Sequence, residues 1–114
     1  MHAHANFSLA HLFENFTDSN WHMFQILLPL EKLSISRGEF IEQMRQREIG
    51  VGVHYPAIHL FALYRGMGYR EGAYPCAEKI GREIVTLPLF PAMTFEDVER
   101  VCAAVAEIIH SAKK

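Results

Sequence analysis

Long apolar runs are missing from this chain, and their absence sets the first limits. The longest strongly apolar stretch, Met23 to Leu30, is broken by Gln25 and Pro29 and falls well short of the roughly 20 residues a membrane-spanning helix needs. An excess of one charge is missing too: 11 Lys and Arg face 13 Asp and Glu, a formal net charge of −2, so no general affinity for nucleic acid or anionic membrane follows. Cysteine is scarce. Cys76 and Cys102 make no disulfide framework, and the place of Cys102 on a helical apolar face reads as a buried or half-buried thiol, with Cys76 read likewise. The first 20 residues lack the basic start, compact apolar region and small-residue cleavage site of a secretory signal, which leaves the cytoplasm as the expected compartment. Internal repeats and low-complexity linkers are absent as well.

What is present is ordinary globular material: 114 residues, half of them hydrophobic, enough for one domain with a real core and short for two. Residues 1–20 form a poorly defined leader in which Ala10, Leu12, Phe13 and Phe16 sketch a short amphipathic turn. Residues 21–114 read as a single α+β domain. Trp21 to Leu28 suits a central strand covered on both faces, with His22 as a core histidine bonded to backbone. Ser36-Arg37-Gly38-Glu39 is a capping box, opening a helix that buries Phe40, Ile41 and Met44 and that Gly50 can end in a left-handed conformation. A strand is predicted over 51–55 and closed by Pro56. Pro75 suits the first position of a helix with Ala77, Ile80 and Ile84 inward. Val85 to Leu89 is a short strand stopped near Pro88, and Thr94 with Asp97 caps a helix whose Val98, Val101, Cys102, Val105, Ile108 and Ile109 recur at helical spacing. The expectation is a small, mainly antiparallel sheet of about three strands with helices packed mostly on one face.

Chemistry-bearing residues concentrate in Gly50-Val51-Gly52-Val53-His54-Tyr55-Pro56-Ala57-Ile58-His59-Leu60-Phe61-Ala62-Leu63-Tyr64. Alternation along an extended chain puts Val51, Val53 and Tyr55 on one side and His54 on the other. The polar tips of His54, Tyr55 and His59 can meet around the Pro56 corner, either as donors to a ligand's oxygens or as a structural cluster at a strand end. His2-x-His4 and His54-x4-His59 lack the third ligand and spacing of a zinc site, so no metal is expected. Glu78 and Lys79 read as a solvated helix surface, and Met67 and Tyr69 as part of an exposed glycine-spaced loop.

Four pieces stand in order: Asn20-Trp21-His22-Met23-Phe24; Ile49 through Pro56 with His59 and Tyr64; Pro75 with Ala77-Glu78-Lys79; and Leu87-Pro88-Leu89-Phe90-Pro91 before Thr94 and Asp97-Val98. Together they resemble the C-terminal small domain of the DegT/DnrJ/EryC1/StrS aminotransferases, over about residues 20–110. The resemblance implies the small-domain fold of fold-type I aminotransferases. It also implies an activity that uses pyridoxal phosphate to move an amino group from an amino acid to a nucleotide-linked keto-sugar, typically in a homodimer. On that basis His54, Tyr55 and His59 are the expected substrate-binding residues, facing the donor carboxylate or the nucleotide-sugar phosphates.

That chemistry needs a lysine bonded to the cofactor, an acid at the pyridine nitrogen and a phosphate cradle, and in the family these lie upstream of the matching region. The only lysines here are Lys32, Lys79, Lys113 and Lys114, none in a comparable context, and no glycine-rich phosphate loop replaces the missing half. No catalytic or cofactor-binding residue is therefore assigned. The chain reads as the small-domain portion, or a truncated relative, of such an enzyme, inactive alone and partnered by a large domain or a second copy. The alternative is a standalone small-molecule-binding or interaction module on the same scaffold.

Overall fold

Capping chemistry places the two main helices. The computed structural model describes residues 20–114, and the leader, with its expected amphipathic turn and His2-x-His4 pair, lies outside the described residues. In chain order the elements are β1 (Phe24–Leu27), a 3-10 turn (Leu30–Lys32), α1 (Arg37–Gln46), a second 3-10 turn (Ile58–Leu60), α2 (Ala62–Gly66), α3 (Pro75–Glu83), β2 (Ile84–Leu87) and α4 (Phe95–Ala112). Both capping boxes form as the sequence predicts. The Ser36 Oγ accepts from the Glu39 amide while the Glu39 carboxylate accepts from the Ser36 amide, and Thr94 and Asp97 do the same for α4. These amide bonds hold the Glu39 and Asp97 carboxyls below their ordinary range.

β1 and β2 pair antiparallel, Gln25 opposite Thr86 and Ile26 opposite Val85. Ile26 and Val85 turn into the core with Leu28, and Leu33, Phe40, Met44, Ile49, Val101, Ala104, Ile108, Ile109 and Ala112 close over them. Helices α1 and α4 therefore cover one face of the sheet, as expected. Gln25 and Thr86, one position along, stand on the opposite face. Ser34 ties the core's far end, donating from its amide and its hydroxyl to the Ala112 carbonyl at the end of α4.

Several expectations change. The strand over 51–55 reduces to a single antiparallel bridge in which Gly52 and Thr86 exchange two backbone hydrogen bonds. The centre of this small sheet is consequently β2, flanked by β1 and Gly52, and not the Trp21–Leu28 segment. Trp21 and Met23 are exposed, as is His22, whose amide donates to the Asn20 side chain, so His22 is not a core histidine. Helix α1 ends at Gln46, and the left-handed position is taken by Glu48, not Gly50. Both free cysteines are exposed.

Helix α3 departs most. Its buried residues are Glu78, Gly81 and Glu83, whereas Ala77 and Ile80 face outward, Ile80 with 43% exposure. Gly81 explains the rotation: an added Cβ there would lie 2.5 Å from the Ala57 nitrogen. The helix thus rides directly on the Pro56–Ala57 backbone, and Glu78, three residues earlier, shares the buried face. Arg37 fixes the other end, its Nη1 donating to the Gly81 and Ile84 carbonyls at 2.6 and 3.3 Å. Proline at the first position of α3 is as predicted.

Candidate functional site

Two polar clusters flank the Pro56–Ala57 corner. The first lies on the outer face of the sheet. Thr86 pairs with Gln25 on one side and Gly52 on the other, and the Gln25 Nε2 donates to the Thr86 Oγ1 at 3.1 Å and to the His54 carbonyl at 2.7 Å. The His54 Nδ1 meets the same Oγ1 at 2.9 Å. Gly52 makes room for this, since a Cβ there would come within 3.0 Å of the His54 Cε1. Tyr55 follows across a cis peptide bond, is 62% exposed, and sets its ring perpendicular to the imidazole at 4.9 Å between centroids.

The second cluster is buried. His59 is 8% exposed and Glu78 5%. The His59 Nε2–H donates to the Glu78 Oε1 at 2.7 Å, and the Gly72 amide donates to the same oxygen at 2.8 Å. The His59 hydrogen bond, helped by the Gly72 and Tyr74 amides, holds the Glu78 carboxyl below its ordinary value against the opposing effect of burial. Tyr74 packs edge-on to His59 at 4.9 Å, and Tyr69 lies 6.4 Å beyond it. One carboxylate thereby ties the 58–60 turn, the loop before α3 and α3 itself together.

The three sequence-predicted residues divide accordingly. His54 and Tyr55 touch each other at the sheet edge, whereas His59 spends its Nε2 on Glu78 and its ring contact on Tyr74, not on His54 or Tyr55. Sequence reasoning missed Gln25, Thr86 and Glu78. The signal for Gln25 was its intrusion into an otherwise apolar run. For Glu78 the expected solvated helix surface is corrected: long-range pairing with His59, 19 residues away, buries it.

The residues do not fit pyridoxal phosphate. All four lysines, Lys32, Lys79, Lys113 and Lys114, are exposed. Of the two buried carboxylates among the described residues, Glu78 and Glu83, Glu78 is committed to His59 and Gly72 and is not free to hold a pyridine nitrogen. Among the described residues no group of three or more His, Cys, Asp and Glu is placed to hold a metal, and no helix is long and apolar enough to cross a membrane.

Fold and site define a small α+β domain with a hydrogen-bonding corner on the outer face of its sheet. The family model of the DegT/DnrJ/EryC1/StrS aminotransferase family matches residues 2–106, and the chain belongs to that family. It is 38% identical over 90 residues, 78% of its length and 23% of the relative's, to an uncharacterised protein of Methanocaldococcus jannaschii. To the spore coat polysaccharide biosynthesis protein SpsC of Bacillus subtilis it is 31% identical over 94 residues, 81% of this chain and 24% of that one. Of solved structures, DesV of S. venezuelae aligns with a TM-score of 0.64 at 32% identity, over 76% of this chain and 22% of DesV. PseC of Helicobacter pylori, an aminotransferase involved in pseudoaminic acid biosynthesis, aligns with a TM-score of 0.75 at 22% identity over 90% of this chain and 27% of PseC, which shows the shared fold. The chain spans about a quarter of the length of the curated relatives it matches and corresponds to a portion of aminotransferases such as PseC.

Proposed function

We propose that this chain acts as the small-domain portion of a pyridoxal phosphate-dependent nucleotide-sugar aminotransferase, supplying a wall that faces the substrate while a large domain supplies the cofactor lysine. The observation that carries the reading is the His54 corner: an imidazole held by Thr86 over Gly52, with an exposed tyrosine beside it. Imidazole and phenol both suit the carboxylate or phosphate oxygens of such substrates. His54 and Tyr55 take the contacting role. His59 stands behind them, holding the turn in place through Glu78.

A large domain, or a second copy, fits the exposed apolar side chains that follow the corner. Ile58, Phe61, Leu63 and Met67 are all exposed, a grouping that marks an interaction surface more often than a bare monomer face. Cofactor dependence, a homodimeric assembly and a cytoplasmic location of the complete enzyme are parts of the same reading, supported by the family match. Chemistry by this chain alone is not, given its four exposed lysines.

Titration of the isotopically labelled chain with UDP-glucose, followed by NMR, tests the substrate-facing wall. Resonance shifts are expected at residues 52–56, Tyr55 and the His54 side chain foremost, and their loss in His54→Ala. Shifts clustered elsewhere, or none into the millimolar range, would overturn it.

A further inference from the structure

We infer that Thr86 and Gln25 are positioning residues that hold the neutral form of the His54 ring as the tautomer protonated at Nε2, so that the corner presents an N–H donor to a substrate oxygen. The inference deepens the reading above and rests on it for the identity of the acceptor. The tautomer itself follows from the hydrogen-bond bookkeeping of three side chains.

The His54 carbonyl oxygen lies 2.7 Å from the Gln25 amide nitrogen. A carbonyl can only accept, so the Gln25 side chain is oriented with its NH2 toward that oxygen. The same NH2 lies 3.1 Å from the Thr86 Oγ1, and donates there as well. Thr86 then accepts from Gln25 and has one proton to give. The His54 Nδ1, at 2.9 Å, is the acceptor within reach. With Nδ1 protonated instead, two donors would converge on one hydroxyl oxygen whose own proton has no recorded acceptor among the described residues.

The proton of the neutral ring therefore sits on Nε2, as in the general rule that the partner of one imidazole nitrogen fixes the state of the other. Nε2 makes no hydrogen bond to the described residues, which leaves this N–H to an acceptor outside them. Gly52 leaves room for the ring, and Tyr55 packs perpendicular to it. The arrangement selects an acceptor, such as a phosphate, carboxylate or hydroxyl oxygen, and disfavours a ligand group that donates.

Long-range proton–nitrogen NMR correlation on the labelled 114-residue chain, recorded well above the ordinary imidazole range, reads the tautomer directly and without ligand. Its failure is thus separate from failure of the substrate-facing reading. The expected spectrum shows His54 with an unprotonated Nδ1 and a protonated Nε2. Thr86→Ser, which keeps the hydroxyl, retains that pattern, and the isosteric Thr86→Val loses it to a mixture of tautomers. A wild-type spectrum with Nδ1 protonated, or a folded Thr86→Val indistinguishable from wild type, overturns the inference. The wild-type spectrum decides even if the valine variant fails to fold.

Discussion

Gly81→Ala tests the packing that shapes the corner. A Cβ at residue 81 would lie 2.5 Å from the Ala57 nitrogen, 3.1 Å from the Pro56 carbonyl carbon and 3.3 Å from the Ala57 Cα. Non-bonded carbons attract best at about 3.5–4.0 Å, and all three neighbours are backbone atoms that no rotamer change can move aside. Overpacking of this kind costs about 1–3 kcal/mol, and the helix propensity gained by replacing glycine with alanine returns about 1 kcal/mol, leaving a net loss of about 0–2 kcal/mol. Gly38→Ala in α1 is the control. Its nearest neighbour would be the Ser36 Oγ at 3.8 Å, so propensity alone should stabilise it by about 1 kcal/mol. In urea, with a slope of about 1.5 kcal/mol/M, the Gly38→Ala midpoint should rise, the Gly81→Ala midpoint should not, and the two should separate by about 0.7–2 M. If both variants stabilise the chain alike, α3 does not ride on Pro56–Ala57 and the reasoning about Glu78 falls with it.

Glu78 should make stability sensitive to acid. Because its carboxyl is held below the ordinary 4.5 in the folded chain, the stabilisation is present above that pH and is lost as pH falls through the lower folded value. Glu78→Gln should be less stable than wild type at neutral pH and lose less on acidification, as urea midpoints at pH 7, 5, 4 and 3 would show; parallel curves would contradict this. Phe40, fully buried between α1 and the sheet, should cost about 3–5 kcal/mol when cut to alanine, a large share of a typical stability of about 5–15 kcal/mol. A change under about 1 kcal/mol in the same urea assay would mean the core has been misplaced.

What the sequence made legible was local. Ser36 with Glu39 and Thr94 with Asp97 declared two helix starts because a capping box spans only four residues. Pro75 and Pro88 marked a helix start and a strand end, and β2 does stop at Leu87. The apolar periodicity of α4 carried through to the buried Val101, Ile108 and Ile109, though not to exposed Cys102.

The left-handed residue after α1, Glu48 in place of Gly50, is a local miss; the other failures are long-range. Which strand lies in the middle depended on Thr86 meeting both Gln25, 61 residues away, and Gly52, and no window along the chain contains that. Apolar periodicity named Ala77 and Ile80 as the inner face of α3, but contact with Ala57 through Gly81 and the pull of His59 on Glu78 rotated the helix. His54 was singled out as standing apart from the apolar strand face, while the hydroxyl and amide that orient it lie on β2 and β1. His59 looked equivalent to it by spacing, and only burial separates them.

Adding pyridoxal phosphate to the purified chain, recording its visible absorbance, and locating any borohydride-reduced adduct by mass spectrometry puts the central claim to its most direct test. The expected result is no stable absorbance band and no single lysine labelled ahead of the others, because Lys32, Lys79, Lys113 and Lys114 are all exposed and none is paired with a buried acid. A band at one-to-one stoichiometry that disappears when one of those four lysines is replaced would contradict it, and would make the chain a cofactor-binding unit and not only a wall of one.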